Sequence, residues 1–366
     1  MNNYFYMLLK KKLSLMMAGT VLFAFCFEQK AAQANLTNHV HDDSPLVSKV
    51  HNQDVLVVPP DASNRPAYYS AGTLNTLLAT GKDTNGTFSL LDIVSLPQIG
   101  TPPHIHTRED ELYYILKGQV TFELGSLTGP QSIVANPGTF AFLPKNKPHR
   151  WQNTGTTLSE LLVFPFPSGF EGFIIDQNQP VTDRSAPIPL SPVTPEILTI
   201  AEKYGLKLIS GSPSDFYEDH TKHGLEHIIV PPGMNNRPSF TEAGAVFTSL
   251  VNEEETGGQV SLFDVDLVPQ SGFQNFIGNE QQNNAFYVLD GDITFQIDNT
   301  ITHGAPGTFV YLPKGESYSL RNLGTTSART LFLETPTPVP EPTFTFGLLA
   351  SAALGSVSLF NRMSKK

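Results

Sequence analysis

Between residues 97 and 118 the chain reads PQIGTPPHIHTREDELYYILKG, and between 138 and 153 it reads GTFAFLPKNKPHRWQN. Four side chains in these stretches share one chemistry: His104, His106, Glu111 and His149. On a strand, residues i and i+2 point to the same face, so His104 and His106 can both aim into a barrel. An HxH pair alone is a weak signal, because histidines also occupy strands as ordinary partly buried residues. Glu111 and His149 complete three imidazoles and one carboxylate, a mixed N/O set suited to Fe, Mn, Ni, Cu, Co or Zn and poorly matched to Ca or Mg. The expectation is one divalent transition metal per chain. Its identity stays open, because the same four ligands accept several ions.

The elements that would position these groups can be read from the turn chemistry. Pro102 and Pro103 fix the approach to the histidine strand, Gly118 closes a hairpin after the glutamate strand, and Pro144 to Pro148 reset the chain before His149. Alternation also places Tyr113 and Ile115 on the face of Glu111, and Trp151 on that of His149. Tyr113 and Trp151 are therefore candidate substrate contacts, although both residue types serve first as core in a β-barrel.

Compared with itself, the chain shows a repeat. VVPPDASNRPAYYSAG (57–72) returns as IVPPGMNNRPSFTEAG (229–244), YYILKGQVTF (113–122) as FYVLDGDITF (286–295), and NPGTFAFLPKN (136–146) as APGTFVYLPKG (305–315). The two copies lie about 170 residues apart throughout. Within each copy, apolar or alternating runs of five to eight residues sit between Gly, Pro, Asn and Asp turns, which predicts an all-β fold. The stretch between the copies predicts one short helix, with Thr194 as N-cap, Pro195 in the first turn, Ile197, Ile200, Ala201 and Tyr204 on one face, and Gly205 as its stop.

The second copy lacks the metal set. Reading forward from Gly272, the positions of the first two histidines hold Phe276 and Gly278, or Ile277 and Asn279 in the alternative register. Asn284 stands at the glutamate position and Tyr318 at that of the last histidine. The fold therefore does not itself require the donors of the first copy. Other histidines read as ordinary: His39 and His41 in the leader, His220, His223 and His227 between the copies, and His303 before a turn, none with partners at credible spacing.

The residues Gly100, His104, His106, Glu111 and Gly118, then Gly138, Pro144, His149 and Asn153, resemble the two cupin motifs, G-x5-H-x-H-x4-E-x6-G and G-x5-P-x-G-x2-H-x3-N, with three rather than five residues between Gly100 and His104. Asn146 stands where the second motif usually has Gly, and Asn tolerates the left-handed backbone needed there. The resemblance implies two tandem cupin domains, each a double-stranded β-helix or jelly roll, joined by the short helix. The expected boundaries are a signal peptide at 1–34, a leader at 35–50, a metal-binding cupin at 51–176, a linker at 177–222, a degenerate cupin at 223–335 and a terminal sorting segment at 336–366. A bicupin with one loaded half, together with PPHIHTREDELYYILKG and GFEGFI (169–174), is similar to the quercetinase group, the quercetin 2,3-dioxygenases. Such a relationship implies cleavage of a flavonol with O2, His104, His106 and His149 as metal ligands, and Glu111 as both ligand and acceptor of the substrate hydroxyl proton. Two alternatives stand beside it. Oxalate decarboxylases and oxidases are also secreted bicupins, though usually with metal in both halves, and a non-catalytic binding or surface protein would use the cupin as a scaffold.

The two ends point to export. Lys10–Lys12, an apolar run from Leu13 to Phe27 and the A-x-A spacing of Ala32 and Ala34 read as a secretory signal, with an N-terminal membrane anchor as the alternative. The only cysteine, Cys26, lies inside that run, so the mature chain would hold no thiol. Near the other end, Pro340, Glu341 and Pro342 precede an apolar segment, 344–360, and a tip with Arg362, Lys365 and Lys366. That order resembles the PEP-CTERM sorting signal and implies a transmembrane segment, transient anchoring, and signal peptidase and an exosortase as processing partners; a buried helix is the alternative. The whole chain carries net charge −11; without residues 1–34 and 341–366 it keeps 16 basic and 32 acidic residues, a net of −16. Such a surface repels phosphate backbones and excludes nucleic acid and anionic lipid as expected partners. The expected partners are a small molecule and, for an oxygenase, O2. A homodimer is compatible with the apolar outer face of a cupin sheet.

Overall fold

The period-two patterns become strands, and the strands pair into sheets that fold onto their own apolar faces. The structure, a computed structural model, describes residues 55–125, 130–178, 180–190, 196–209, 224–233, 236–277 and 282–336. In the first half a seven-stranded antiparallel sheet runs in the order Ile228–Val230, Phe140–Leu143, Asp110–Lys117, Ser159–Phe166, Leu90–Ser95, Thr73–Ala79 and Ala67–Ser70. Against it lies a five-stranded sheet of Leu206–Leu208, His104–His106, His149–Asn153, Val120–Leu124 and Gln131–Ala135. The second half repeats the plan. Leu56–Val58, Phe309–Leu312, Gln282–Asp290, Ala328–Pro336, Ser261–Leu267, Ala245–Val251 and Ser239–Glu242 form its large sheet, and Ser271–Ile277, Ser317–Asn322, Ile293–Ile297 and Thr300–Gly304 form its small one.

Three apolar clusters follow from this layering. Inward residues of the first half, among them Tyr113, Ile115, Phe122, Leu143 and Trp151, fill one barrel. Phe286, Phe295, Val310, Tyr318 and Phe332 fill the other. Between them Leu112, Tyr114, Phe140 and Phe142, on the outer face of the first large sheet, meet Ala285, Tyr287, Tyr311 and Leu331 of the second. Each fully buried side chain of this size contributes roughly 1.5–3 kcal/mol, so the two halves share a core.

Leading strands are exchanged between the halves. Leu56–Val58 starts the first copy but pairs with Phe309–Tyr311 of the second, and Ile228–Val230 starts the second copy but pairs with Phe140–Phe142 of the first. Each copy thus supplies an edge strand to the sheet of the other.

Of the two helices among the described residues, α2 (Ile197–Lys203) is the one that the linker predicts. Ile197, Ile200 and Tyr204 pack on the first barrel around buried Ala201, and Gly205 follows at φ +79°. Thr194 and Pro195 lie outside the described residues. The other helix, α1 (Glu171–Gln177), has no counterpart in the sequence pattern: seven residues give less than two turns in which a period of 3.6 can show. Its buried Glu171 accepts hydrogen bonds from the backbone N–H of Gly81 at 2.8 Å and of Gly169 at 2.7 Å, tying helix and loop to the barrel.

Two expected turns have the backbone that their residue types suit. Asn146 has φ +65°, and Gly118 has φ +74° with no room for a Cβ, which would meet the Leu158 carbonyl oxygen at 2.7 Å. Among the described residues no helix is long and apolar enough to cross a membrane. The expected signal peptide, leader and 344–360 segment, with His39 and His41, lie outside the described residues, as do His220 and His223.

At the shared core the pseudo-symmetry is broken in one charge. In the second half Arg329 donates to both carboxylate oxygens of Asp264, the Nε bond measuring 2.7 Å, and one guanidinium nitrogen lies 3.2 Å from the Tyr114 hydroxyl. The matching residues are Asp92, Tyr287 and, in place of Arg329, Glu160, as the equivalent pairings Glu160↔Val94 and Arg329↔Asp266 show. Glu160 turns to Lys117 at 2.5 Å, and the Asp92 Oδ1 is buried without a hydrogen-bond partner among the described residues. Burial, then the charge of Glu160, raises the Asp92 carboxyl to about 7.

Candidate metal centre

The four donors lie on three strands that the sheet order brings to one end of the first barrel. His104 and His149 are direct cross-strand partners, and Glu111 reaches the same region from the facing sheet, where it pairs with Leu143. His104, His106, Glu111 and His149 are each no more than 3 % exposed, and one donor atom from each lies within 4.8 Å of the others. The His104 and His106 Nε2 atoms are 3.1 Å apart, and the Glu111 Oε2 is 3.2 Å from the His106 Nε2 and 3.1 Å from the His149 Nε2.

The outer ring nitrogens decide what these contacts mean. His104 Nδ1 faces the Pro102 carbonyl at 2.8 Å and His149 Nδ1 faces the Lys147 carbonyl at 3.0 Å. A carbonyl only accepts, so both Nδ1 atoms carry the proton and both Nε2 lone pairs point inward. His106 Nδ1 is 2.6 Å from Oε1 of Glu109, a carboxylate itself 3 % exposed. Three imidazole lone pairs and a carboxylate oxygen therefore converge with no hydrogen among them to share. Such a set is repulsive unless a cation or a proton sits within it, and its N3O donors fit a divalent transition ion.

The titration directions express the same tension. Burial, followed by repulsion from His149 and His106, holds His104 well below the ordinary imidazole range. Burial would also lower His106, but Glu111 and Glu109 outweigh it and the ring is raised. Burial alone would raise Glu111, yet the three histidines win and hold it at about 2.

Around the donors stand residues the sequence placed and residues it did not. Tyr113 donates from its hydroxyl to the Glu111 Oε2 at 2.8 Å, so it holds a donor as well as lining the barrel, and burial pushes its own ionisation far up. Trp151, 3 % exposed, lies within the core on the His149 strand. Phe170, at the start of α1, meets the His106 ring edge-on at 5.1 Å and stacks with Phe173. Glu109 is invisible to motif reading because it occupies one of the four unspecified positions between His106 and Glu111. His227, read from sequence as an ordinary histidine between the copies, immediately precedes the strand Ile228–Val230 that crosses to the first half, and it lies within electrostatic reach of His149 and Lys147. His303 is exposed, its Nδ1 3.3 Å from the Thr294 hydroxyl.

In the second half the register settles the alignment left open by the sequence. Tyr318 pairs with Phe276 as His149 pairs with His104, and Asn284 pairs with Leu312 as Glu111 pairs with Leu143. The Tyr318 ring packs edge-on against Phe286 at 5.6 Å.

A family profile described as Cupin domain matches residues 94–165 and again 263–334. The chain carries two cupin domains. Among solved structures this bicupin is similar to a single-substitution variant of the oxalate decarboxylase of Bacillus subtilis, at 13% identity over 78% of each chain and a TM-score of 0.53. It is also similar to a putative glyoxylate-induced protein from Pseudomonas aeruginosa, at 13% identity, TM-score 0.53, over 82% of this chain and 95% of that one. The formate complex of Lactobacillus farciminis oxalate decarboxylase matches at 12% identity, TM-score 0.53, over 82% and 88%. Likeness at such identity shows the fold alone. No curated protein sequence matches the chain.

Proposed function

We propose that this bicupin is an exported metal-dependent oxygenase that takes a neutral enol, a flavonol such as quercetin being the type substrate, at the centre in its first half. The observation that carries the reading is the internal charge balance of the site. Glu109 and Glu111 are both buried beside the donors and together match the charge of a divalent ion. Lys147, a cation in the same region, is engaged by Glu226 at 2.9 Å. A dianion such as oxalate would therefore meet little net attraction, whereas a neutral enol can enter and ionise in place.

A bound ion would supply Lewis acidity toward an oxygen ligand and, if redox-active, a path for electrons to O2. The chain's own residues supply the rest. Glu111 would exchange between ligation and acceptance of the substrate hydroxyl proton, with Tyr113 orienting its carboxylate. Phe170 and the apolar barrel wall suit a flat aromatic ligand and keep water from the reacting carbon. The signal peptide read in residues 1–34 and the PEP-flanked terminal segment support export, with signal peptidase and exosortase acting on the ends; sequencing the termini of the secreted protein tests this.

Oxygen uptake with quercetin, measured beside CO2 release from oxalate on metal-loaded protein, tests the activity. Uptake with carbon monoxide release from the flavonol is expected. Release of CO2 from oxalate with no response to flavonols would replace the proposal by a decarboxylase, the activity named for the similar Bacillus and Lactobacillus proteins.

A further inference from the structure

The exchanged strand of the second half runs along the first barrel in a fixed register. Ile228 pairs with Phe142 and Ile229 with Ala141, so the next position places His227 beside Leu143, which is itself paired with Glu111. Ile228 packs on the core shared by the two halves and Ile229 on the inner cluster of the first. Alternation then turns His227 to the inner side, the side of the metal centre. Its Nε2 is buried and has no hydrogen-bond partner among the described residues. Yet it is not one of the four clustered donors.

A buried ring nitrogen with no partner is costly, and one turned toward a binding site calls for an explanation. We propose that His227 is a ligand-contacting residue supplied by the second half, its Nε2 making a hydrogen bond to an oxygen or nitrogen atom of a small molecule bound at the metal of the first half. Burial, with repulsion from His149 and Lys147, keeps the ring neutral, so Nε2 can donate to an enolate oxygen or accept from an enol hydroxyl according to its tautomer. This rests on the metal-centre reading and explains why a half without donors of its own stays tied to the one that has them.

The test uses full-length protein loaded with Co(II), whose visible spectrum reports exogenous ligands, titrated with azide and separately with 3-hydroxyflavone. Wild type is compared with His227→Ala and with His227→Gln, which keeps a donor and an acceptor and guards against a packing loss. Metal content is expected to be equal in all three, with both probes weakened about tenfold in His227→Ala, the loss of one hydrogen bond, and partly restored in His227→Gln. Unchanged azide affinity in His227→Ala overturns the proposal, as does loss of metal in step with loss of probe, or failure of both probes to bind loaded wild type. If 3-hydroxyflavone fails on wild type while azide still weakens in His227→Ala, the flavonol reading falls and the role of His227 stands.

Discussion

Replacing Glu109 by glutamine isolates the charge balance on which the functional reading depends. The His106 Nδ1–Glu109 contact is 2.6 Å long with both side chains almost wholly buried, so it is a charge-assisted bond in a low-dielectric setting. Such bonds contribute roughly 1.5–3 kcal/mol and a neutral amide acceptor about 1 kcal/mol. The difference, about 0.5–2 kcal/mol, should weaken metal retention some two- to thirtyfold, overlapping the roughly 10–100-fold range known for partners of metal-ligating histidines. The amide keeps the shape of the carboxylate and still accepts from Nδ1, so folding should be little affected. The same change leaves a divalent ion one negative charge short, so anions should bind the loaded Glu109→Gln protein more tightly than wild type. Metal release into a chelator gives the first quantity, and titration of the Co(II) protein with oxalate gives the second. Opposite signs are the signature. Equal chelator half-times in the two proteins, or oxalate binding that weakens together with the metal, would refute the charge-balance reasoning.

Three further outcomes can be measured. Tyr113→Phe removes the hydroxyl that holds Glu111 and should lower turnover at least several-fold while metal content stays near one per chain by elemental analysis. Asp92 has a folded-state pKa raised from 3.8 to about 7, so its contribution to stability is complete below about 4 and is lost as pH rises through 7, a ceiling of about 4 kcal/mol. Asp92→Asn should therefore unfold with wild type at pH 4 and be more stable by about 1–3 kcal/mol at pH 8 in urea titrations; an equal offset at both pH values would contradict the assignment. Gly118→Ala puts a Cβ 2.7 Å from the Leu158 carbonyl at φ +74° and should cost about 1–3 kcal/mol, read as a lowered Tm.

The legible part of the site was the part encoded within a single strand or hairpin. His104 and His106 share a face because strands alternate, and Glu111 and His149 stand at fixed distances, the first ahead of Gly118 and the second after Pro144. Asn146 in a left-handed conformation kept the turn that a glycine would have given. Glu109 was not legible, because nothing in HTREDE says which of its three acids a histidine will choose. His227 was not legible either: 78 residues beyond His149, it comes near only because a strand crosses between halves, and pattern alone assigns every strand to its own copy. The alignment of Phe276 had to wait for its pairing with Tyr318, since an inserted residue erases register from spacing.

Because each copy lends its opening strand to its neighbour, a gene cut between the repeats would yield two fragments, each with a bare sheet margin and a stray ribbon that fits only the missing fragment. Neither piece should survive expression by itself, but mixed together they should find one another. That mutual dependence lets the second repeat drift freely in its chemistry while remaining impossible to delete.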